Sequence, residues 1–292
     1  MTSAAASIDA VAPRHRRRGT LGRLLRRPSA AIAFAVVAAL VVGAVGAPLV
    51  APYPKNQLDV VNLFASPSWA HPFGTDELGR DLLTRVLYGG RTSLEIASLS
   101  TLIALGAGSL WGFVAAARRG WVDEILMRIA DLTLGMPVIL LGLVLVAAFG
   151  SSATSIVLIL GILFMPATAR LGRSALLAEF EADYYLAAVS VGAPPWRIVF
   201  KELLPNTMPV LLARASIVAA DAIFVEASLS FVGLGIQPPS ASWGTLLESG
   251  YNVLYRNYWY SIFPGLAILI AVLSLNILGD NLQRVLDPAK RS

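Results

Sequence analysis

The sequence predicts an all-α, polytopic membrane protein with six transmembrane helices. Three observations carry that prediction. Of 292 residues, 56 % are apolar and 14 % are charged, against about 25 % charged in soluble domains. The charge is also missing in blocks. None falls between Pro28 and Lys55, Glu95 and Arg118, Asp131 and Arg170, or Arg256 and Asp280. Each block meets or exceeds the roughly 20 residues a helix needs to cross about 30 Å of hydrocarbon. Finally, there is no cysteine, which excludes disulfide frameworks, thiolate metal sites and iron–sulfur clusters. Only two histidines occur. His15 lies in an arginine-rich tail, and His71 reads as a solvated loop residue rather than a metal ligand or dyad member.

The elements follow in order. Residues 1–28 read as a basic cytoplasmic tail, with seven arginines from Arg14 to Arg27 directly before an apolar run. That position marks a positive-inside signal and a headgroup anchor rather than a nucleic-acid site. Residues 29–50 form the first span. A cleaved signal peptide competes there, with Val45-Gly46-Ala47 as cleavage motif, but the run exceeds a signal core of about 7–15 residues. Pro48, Pro52 and Pro54 end the span. An extracellular amphipathic segment, residues 51–92, follows. In it Thr75-Asp76-Glu77 predicts a helix start, Leu78, Leu82, Leu83 and Val86 an apolar face, and Gly89-Gly90 an end. A short helix on the outer membrane surface results.

Residues 93–280 form a five-helix core. The second span covers residues 93–117. The 38 uncharged residues between Asp131 and Arg170 would make a helix of about 57 Å, too long for one crossing. Phe149-Gly150-Ser151-Ser152 is a turn signal that divides them into span three, 125–149, and span four, 154–171. A polar stretch, 172–206, precedes span five, 208–235. An aromatic loop, 236–258, leads to span six, 259–278, and residues 281–292 form a cytoplasmic tail. Tyr251, Tyr255, Tyr258, Trp259 and Tyr260 cluster as an interfacial belt would. Of the 23 lysines and arginines, the outer segments hold only Lys55, Arg80, Arg85, Arg91 and Arg256, so both termini are expected inside.

No nucleotide site is legible. A phosphate loop needs Gly-Lys followed by Ser or Thr, and neither Lys55, Lys201 nor Lys290 follows a glycine. The informative segment is residues 180–206. Pro194-Pro195 starts a helix after Gly192, with Trp196, Val199, Phe200, Leu203 and Leu204 on one helical face. Before the glycine, Phe180, Tyr184, Ala187, Ala188 and Val191 make a similar stripe. Such a loop suits docking into a groove of another protein, or lying on the membrane and the chain's own span ends; the residues alone leave both open.

The spacing Leu186-Ala187-Ala188, Gly192, Leu204-Pro205 resembles the coupling-loop signature of binding-protein-dependent ABC importer permeases, Glu-Ala-Ala-x3-Gly-x9-apolar-x-Leu-Pro. Leu186 stands in the glutamate slot and Glu202 in the apolar slot. Two further stretches are similar to the peptide and nickel branch of that family: Phe73-Gly74-Thr75-Asp76-Glu77-Leu78-Gly79-Arg80-Asp81 with Gly90-Arg91-Thr92-Ser93-Leu94, and Glu226 to Gly235 with Gln237-Pro238-Pro239 and Ser242-Trp243-Gly244. Together they resemble the C-type (DppC/OppC-like) permease subunits of the dipeptide, oligopeptide and nickel ABC importers. The resemblance implies a type I ABC importer permease fold, a coupling role for Leu186, Ala187, Ala188, Gly192, Trp196, Phe200, Leu204 and Pro205, and an extracellular segment carrying Thr75, Asp76, Gly79, Arg80 and Asp81. It implies a homologous B-type permease, two cytoplasmic ATPase subunits that hold ATP and Mg, an extracellular substrate-binding protein, and a peptide substrate, with nickel complexes or haem as alternatives. No cofactor is expected on this chain itself.

Polar residues inside span five are costly, at least about 2.5 kcal/mol for a charge at a helix centre. Arg214, Asp221 and Ser228 recur every seven residues, and Glu226 and Ser230 share another face. They read as a wall of the pathway, as contacts to another subunit, or as bridges between spans. Two rival classes compete with a permease. An intramembrane aspartyl protease could use Asp221 and Asp280 but leaves the 180–206 loop unexplained. A secondary transporter would show two related halves, which this sequence lacks.

Overall fold

The computed structural model describes residues 22, 24 and 26–286; most of the basic tail and residues 287–292 lie outside that range. The order is α1 (Pro28–Val45), α2 (Ala47–Val50), α3 (Leu82–Arg118), α4 (Gly120–Leu134), α5 (Val138–Phe149), α6 (Ala153–Phe180), α7 (Asp183–Ser190), α8 (Pro195–Arg197), α9 (Leu204–Leu229), α10 (Trp243–Asn252) and α11 (Trp259–Leu286). A π-helical turn, Ile198–Leu203, joins α8 to α9, and a second, Ser230–Leu234, extends α9, so that residues Pro195–Leu234 run as one rod of 40 residues, kinked in its last turn at Gly233, where φ is +85°. Among the described residues, five helices are long and apolar enough to cross a membrane, and six if the bent pair α4–α5 counts as one.

The interior is built on the pair α3–α6, with α9 and α11 against it and α1 on the outside of α11 and α3. Small residues bring α3 and α6 together, as in membrane interiors where close backbone approach drives association. A Cβ on Gly112 would lie 2.1 Å from the Ala169 carbonyl oxygen. The main core joins Ile96 and Ala104 of α3, Leu160 of α6, Ile223 and Leu229 of α9, and Trp243, Leu246 and Tyr260 from α10 and α11. A second, smaller core of Ala116, Leu176, Ile198 and Leu203 holds the far end.

Four expectations change. The separate surface helix ending at Gly89-Gly90 does not form; α3 runs unbroken from Leu82 to Arg118, about 55 Å. Its glycines serve a contact, since a Cβ on Gly90 would meet the Trp243 ring at 2.7 Å. The helix also starts later than Thr75. Asp81 caps it, accepting from the Thr84 amide at 2.8 Å, while residues 75–81 form a tight turn closed by a Thr75–Asp81 bridge.

Span three is not straight. α4 and α5 meet at 92° across Gly135-Met136-Pro137, because proline disfavours helix at the residue before it and removes an amide donor. Two ion pairs, Arg173–Asp123 and Arg170–Asp131, strap α4 to α6. The aromatic loop 236–258 contains a helix of its own, α10, started by a reciprocal cap between Ser242 and Thr245. Finally, α11 continues past residue 278 to Leu286, and Asn281 donates to the Ser29 hydroxyl of α1 at 3.3 Å. Residues 281–286, expected in the tail, are therefore helical.

Candidate functional site

Three groups of residues gather at the two ends and in the middle of the bundle. At one end, residues 180–203 form a helical hairpin. α7 and the Pro195 helix start are joined at Gly192, whose φ is +72°, a conformation glycine adopts without a Cβ penalty. The inward residues differ from the predicted stripes. Ile198 and Leu203 are buried, with Phe180, Tyr185, Ala188 and Ala193 packed around them. The π-helical turn rotates the face, so Trp196, Val199 and Phe200 point outward, 61 %, 45 % and 65 % exposed. Leu186, Ala187, Val191, Gly192 and Pro205 are also exposed, and Ala188 and Leu204 are half-buried. A cavity of about 280 Å³ opens beside Ala187, Ala188, Val191 and Ile198. Burial, then the hydrogen bond it donates to Glu179, push the Tyr184 hydroxyl up to about 12.

At the opposite end, residues 59–81 form a dense polar knot. Asp76 is fully buried and accepts from the Leu78 amide at 2.9 Å, the Arg80 amide at 2.9 Å and Arg80 Nε at 2.6 Å. Thr75 accepts from the Ala65 amide at 2.7 Å, and Asn257 Nδ2 donates to the Thr75 carbonyl at 2.9 Å. Gly79, at φ +74°, turns the chain against the Asp59 carbonyl. Asp81 caps α3 with one carboxylate oxygen and meets His71 Nδ1 at 3.1 Å with the other. His71 is thus buried and stacked on Tyr53 at 4.8 Å, not solvated. The Asp59 carboxyl is held below its usual range by hydrogen bonds from Asn62 and the Val61 amide.

Between them, α9 presents its polar residues in two directions. Arg214, Asp221 and Ser228 are half-buried along one face. Arg214 lines a cavity of about 330 Å³ shared with Arg170 and Ser174. Glu226 and Ser230 face the opposite way, into the chain. Glu226 is 1 % exposed; it accepts from Ser230 at 2.8 Å and from Ser93 at 3.3 Å. Ser93 in turn accepts from the Trp243 amide at 3.1 Å, and Trp243 Nε1 donates to the Val86 carbonyl at 2.9 Å. Of the readings the sequence left open for Glu226, the contact between elements of this chain is the one these bonds describe: its carboxylate lies among α3, α9 and the start of α10. Sequence reasoning missed Ser93 and Trp243 as its neighbours, since they lie 133 and 17 residues away in the chain; both stand in motifs the sequence singles out, but nothing in the sequence pairs those motifs with Glu226.

Residues 108–292 match the family described as "binding-protein-dependent transport system inner membrane component". Residues 17–67 match the N-terminal transmembrane domain of oligopeptide transport permease C. A peptide permease protein of Brucella suis is 37 % identical over 268 residues, covering 91 % of this chain and 89 % of its own. The di/tripeptide transport system permease protein DppC of Pseudomonas aeruginosa is 39 % identical over 248 residues, covering 83 % and 82 %. Among solved structures, an inward-facing conformation of the MetNI methionine ABC transporter superposes with a TM-score of 0.58 at 22 % identity, over 70 % of this chain and 96 % of that one. The helical architecture, the two glycine-hinged ends and these matches agree: the chain belongs to the binding-protein-dependent transport system inner membrane components, the multi-pass membrane permeases of ABC importers.

Proposed function

We propose that this chain forms half of the translocation pathway of a peptide importer, with a homologous B-type permease as the other half. The extracellular binding protein delivers the peptide at the end carrying residues 51–81, and both termini and the hairpin 180–203 lie in the cytoplasm. No bond in the substrate is made or broken on this chain. The ATPase subunits hydrolyse ATP, and this chain converts their closure into movement.

The observation that carries the reading is mechanical. The exposed Trp196, Val199 and Phe200 stand on the first turns of a helical rod, Pro195–Leu234, about 60 Å long and kinked only at Gly233 in its last turn. A partner groove that grips those side chains grips the end of a rod, and aromatic anchors of this kind contribute at least about 2 kcal/mol each when buried at an interface. The rod's far end reaches residue 234, so a push at Phe200 is delivered across the bilayer. The alternating access this supports needs no group on this chain to change its chemistry.

The test is a double variant, Trp196→Ala with Phe200→Ala. We expect the affinity-purified permease to lose most of its ATPase subunits, and peptide uptake in proteoliposomes to fall at least tenfold, while the two permeases still copurify. Wild-type ATPase retention and uptake in this variant would refute the coupling role. Uptake assays with peptides, nickel chelates and haem assign the cargo.

A further inference from the structure

Arg85 is a guanidinium without a hydrogen bond. Its side chain is 9 % exposed, and among the described residues no group accepts from it; Nε is a buried donor left unpaired. The nearest carboxylate oxygen, Asp76 Oδ2, is 3.5 Å away and already receives Arg80 Nε at 2.6 Å. An arginine cannot discharge by losing its proton, and its ion pair with Asp76, a carboxylate shared with Arg80, still leaves its buried Nε–H without an acceptor, which is costly.

Arg85 lines a cavity of about 270 Å³ at the end carrying residues 51–81. Its only other charged lining residue is Glu248, which bonds only the neutral Asn252 amide at 2.7 Å and has no cationic partner among the described residues. Ser230 and Gln237 complete the relevant wall. The Ser230 proton is committed to Glu226, and Gln237 Nε2 to the Gly235 carbonyl at 3.0 Å. Ser230 thus has only its oxygen left as an acceptor, whereas Gln237 keeps its carbonyl oxygen and one amide N–H. The cavity therefore presents one fork of donors, one carboxylate and spare acceptors between them.

We propose that this cavity is a peptide subsite, in which Arg85 takes the free C-terminal carboxylate and Glu248 the ammonium end of a short peptide. The guanidinium fork matches a carboxylate in two parallel bonds. Glu248 repels a simple anion such as phosphate but complements a zwitterion. Ser230 and Gln237 accept from the peptide N–H. The proposal rests on the peptide-importer reading and names where the substrate is held on this chain.

The chain has no cysteine, so Ser240→Cys, an exposed position on the cavity rim, gives one thiol. Its alkylation is followed by mass spectrometry of this chain in the full importer complex, without the binding protein, so that no acidic side chain of that protein is the source of the carboxylate. Alanyl-alanine at 10 mM, roughly 10-fold above a millimolar weak site, should slow labelling at least fivefold. Alanyl-alanine amide, which lacks the carboxylate, should not. In the Arg85→Gln background the dipeptide should give no protection. Equal protection by the two peptides, or protection that survives Arg85→Gln, overturns the site. Should Arg85→Gln fail to assemble, the comparison of acid with amide decides alone. Normal dipeptide uptake without protection of Cys at 240 sinks this subsite and leaves the importer reading standing; loss of all peptide uptake by the wild-type complex sinks that reading itself.

Discussion

Gly79 stands at φ +74°, and a Cβ there would lie 1.8 Å from the Asp59 carbonyl oxygen. Two independent penalties therefore meet at one residue. The left-handed conformation alone costs a side-chain-bearing residue about 1–3 kcal/mol, and the overlap cannot be relieved without moving the Asp59 turn. That turn is the lid of the Asp76 knot. Gly79→Ala is expected to lower the thermal midpoint of the purified permease clearly, while Leu78→Ala, at the exposed neighbour, leaves it within about a degree of wild type, since surface changes stay near ±0.5 kcal/mol. Equal midpoints for both variants would show that the knot adds nothing to stability. The motif Gly74 to Asp81 was visible, and so was the side of α9 on which Glu226 and Ser230 pair, because an i,i+4 spacing fixes it. The acidic run at 75–77 was read as a helix start because Asp and Glu favour that position. Asp76 instead points inward, to amides of its own turn and to an arginine, and nothing in local propensity distinguishes the two uses.

Glycine misled at the level of elements for the same reason. Gly89-Gly90 looks like a helix end in sequence, yet it is the place where Trp243, more than 150 residues later, reaches the α3 backbone; only tertiary structure carries that information. Pro137, by contrast, is a helix breaker legible in the sequence itself, and it bends the span within the same uncharged run that holds the Gly150 turn. The α3–α6 seam allows a controlled test. A Cβ on Gly112 would sit 2.1 Å from the Ala169 carbonyl oxygen and 2.7 Å from the Arg173 amide nitrogen, whereas one on Gly106, in the same helix, would meet nothing within 4 Å. Both changes to alanine bring the same gain in helix propensity, about 1 kcal/mol. They should therefore diverge through packing alone. Gly106→Ala is expected to express and assemble as wild type or better. Gly112→Ala forces the two helices apart and should reduce the yield of folded permease severalfold, read by size-exclusion chromatography in mild detergent. Indistinguishable behaviour of the two variants would mean that the seam tolerates separation and that the pair is not the centre of the fold.

At the scale of the molecule, the two ends differ in charge and in what holds them. The hairpin end carries Arg118, Arg119, Arg128, Arg170, Arg173, Arg197 and Lys201, several of them outside any ion pair. The other end carries Lys55, Arg80, Arg85, Arg91 and Arg256, of which Arg80 and Arg85 are drawn into the Asp76 knot. Positive side chains are thus more numerous on the hairpin side, seven against five, the side that the positive-inside rule would keep in the cytoplasm. The apolar flanks agree with a lipid or partner surface on every side, since Ile32, Val42, Leu102, Leu110, Leu140, Val144 and Ile162 remain exposed along the bundle. The geometry turns orientation into a single-cysteine experiment. Ser66 and Ser240 are exposed at one end and Ser190 at the other, and the chain has no native thiol to confuse the signal. In intact cells a membrane-impermeant maleimide should label Ser66→Cys and Ser240→Cys, and should reach Ser190→Cys only after the membrane is opened. Labelling of Ser190→Cys in sealed cells would invert the molecule. It would place the hairpin where no ATPase can meet it, and remove the basis for reading the Pro195–Leu234 rod as the element that carries force inward to outward.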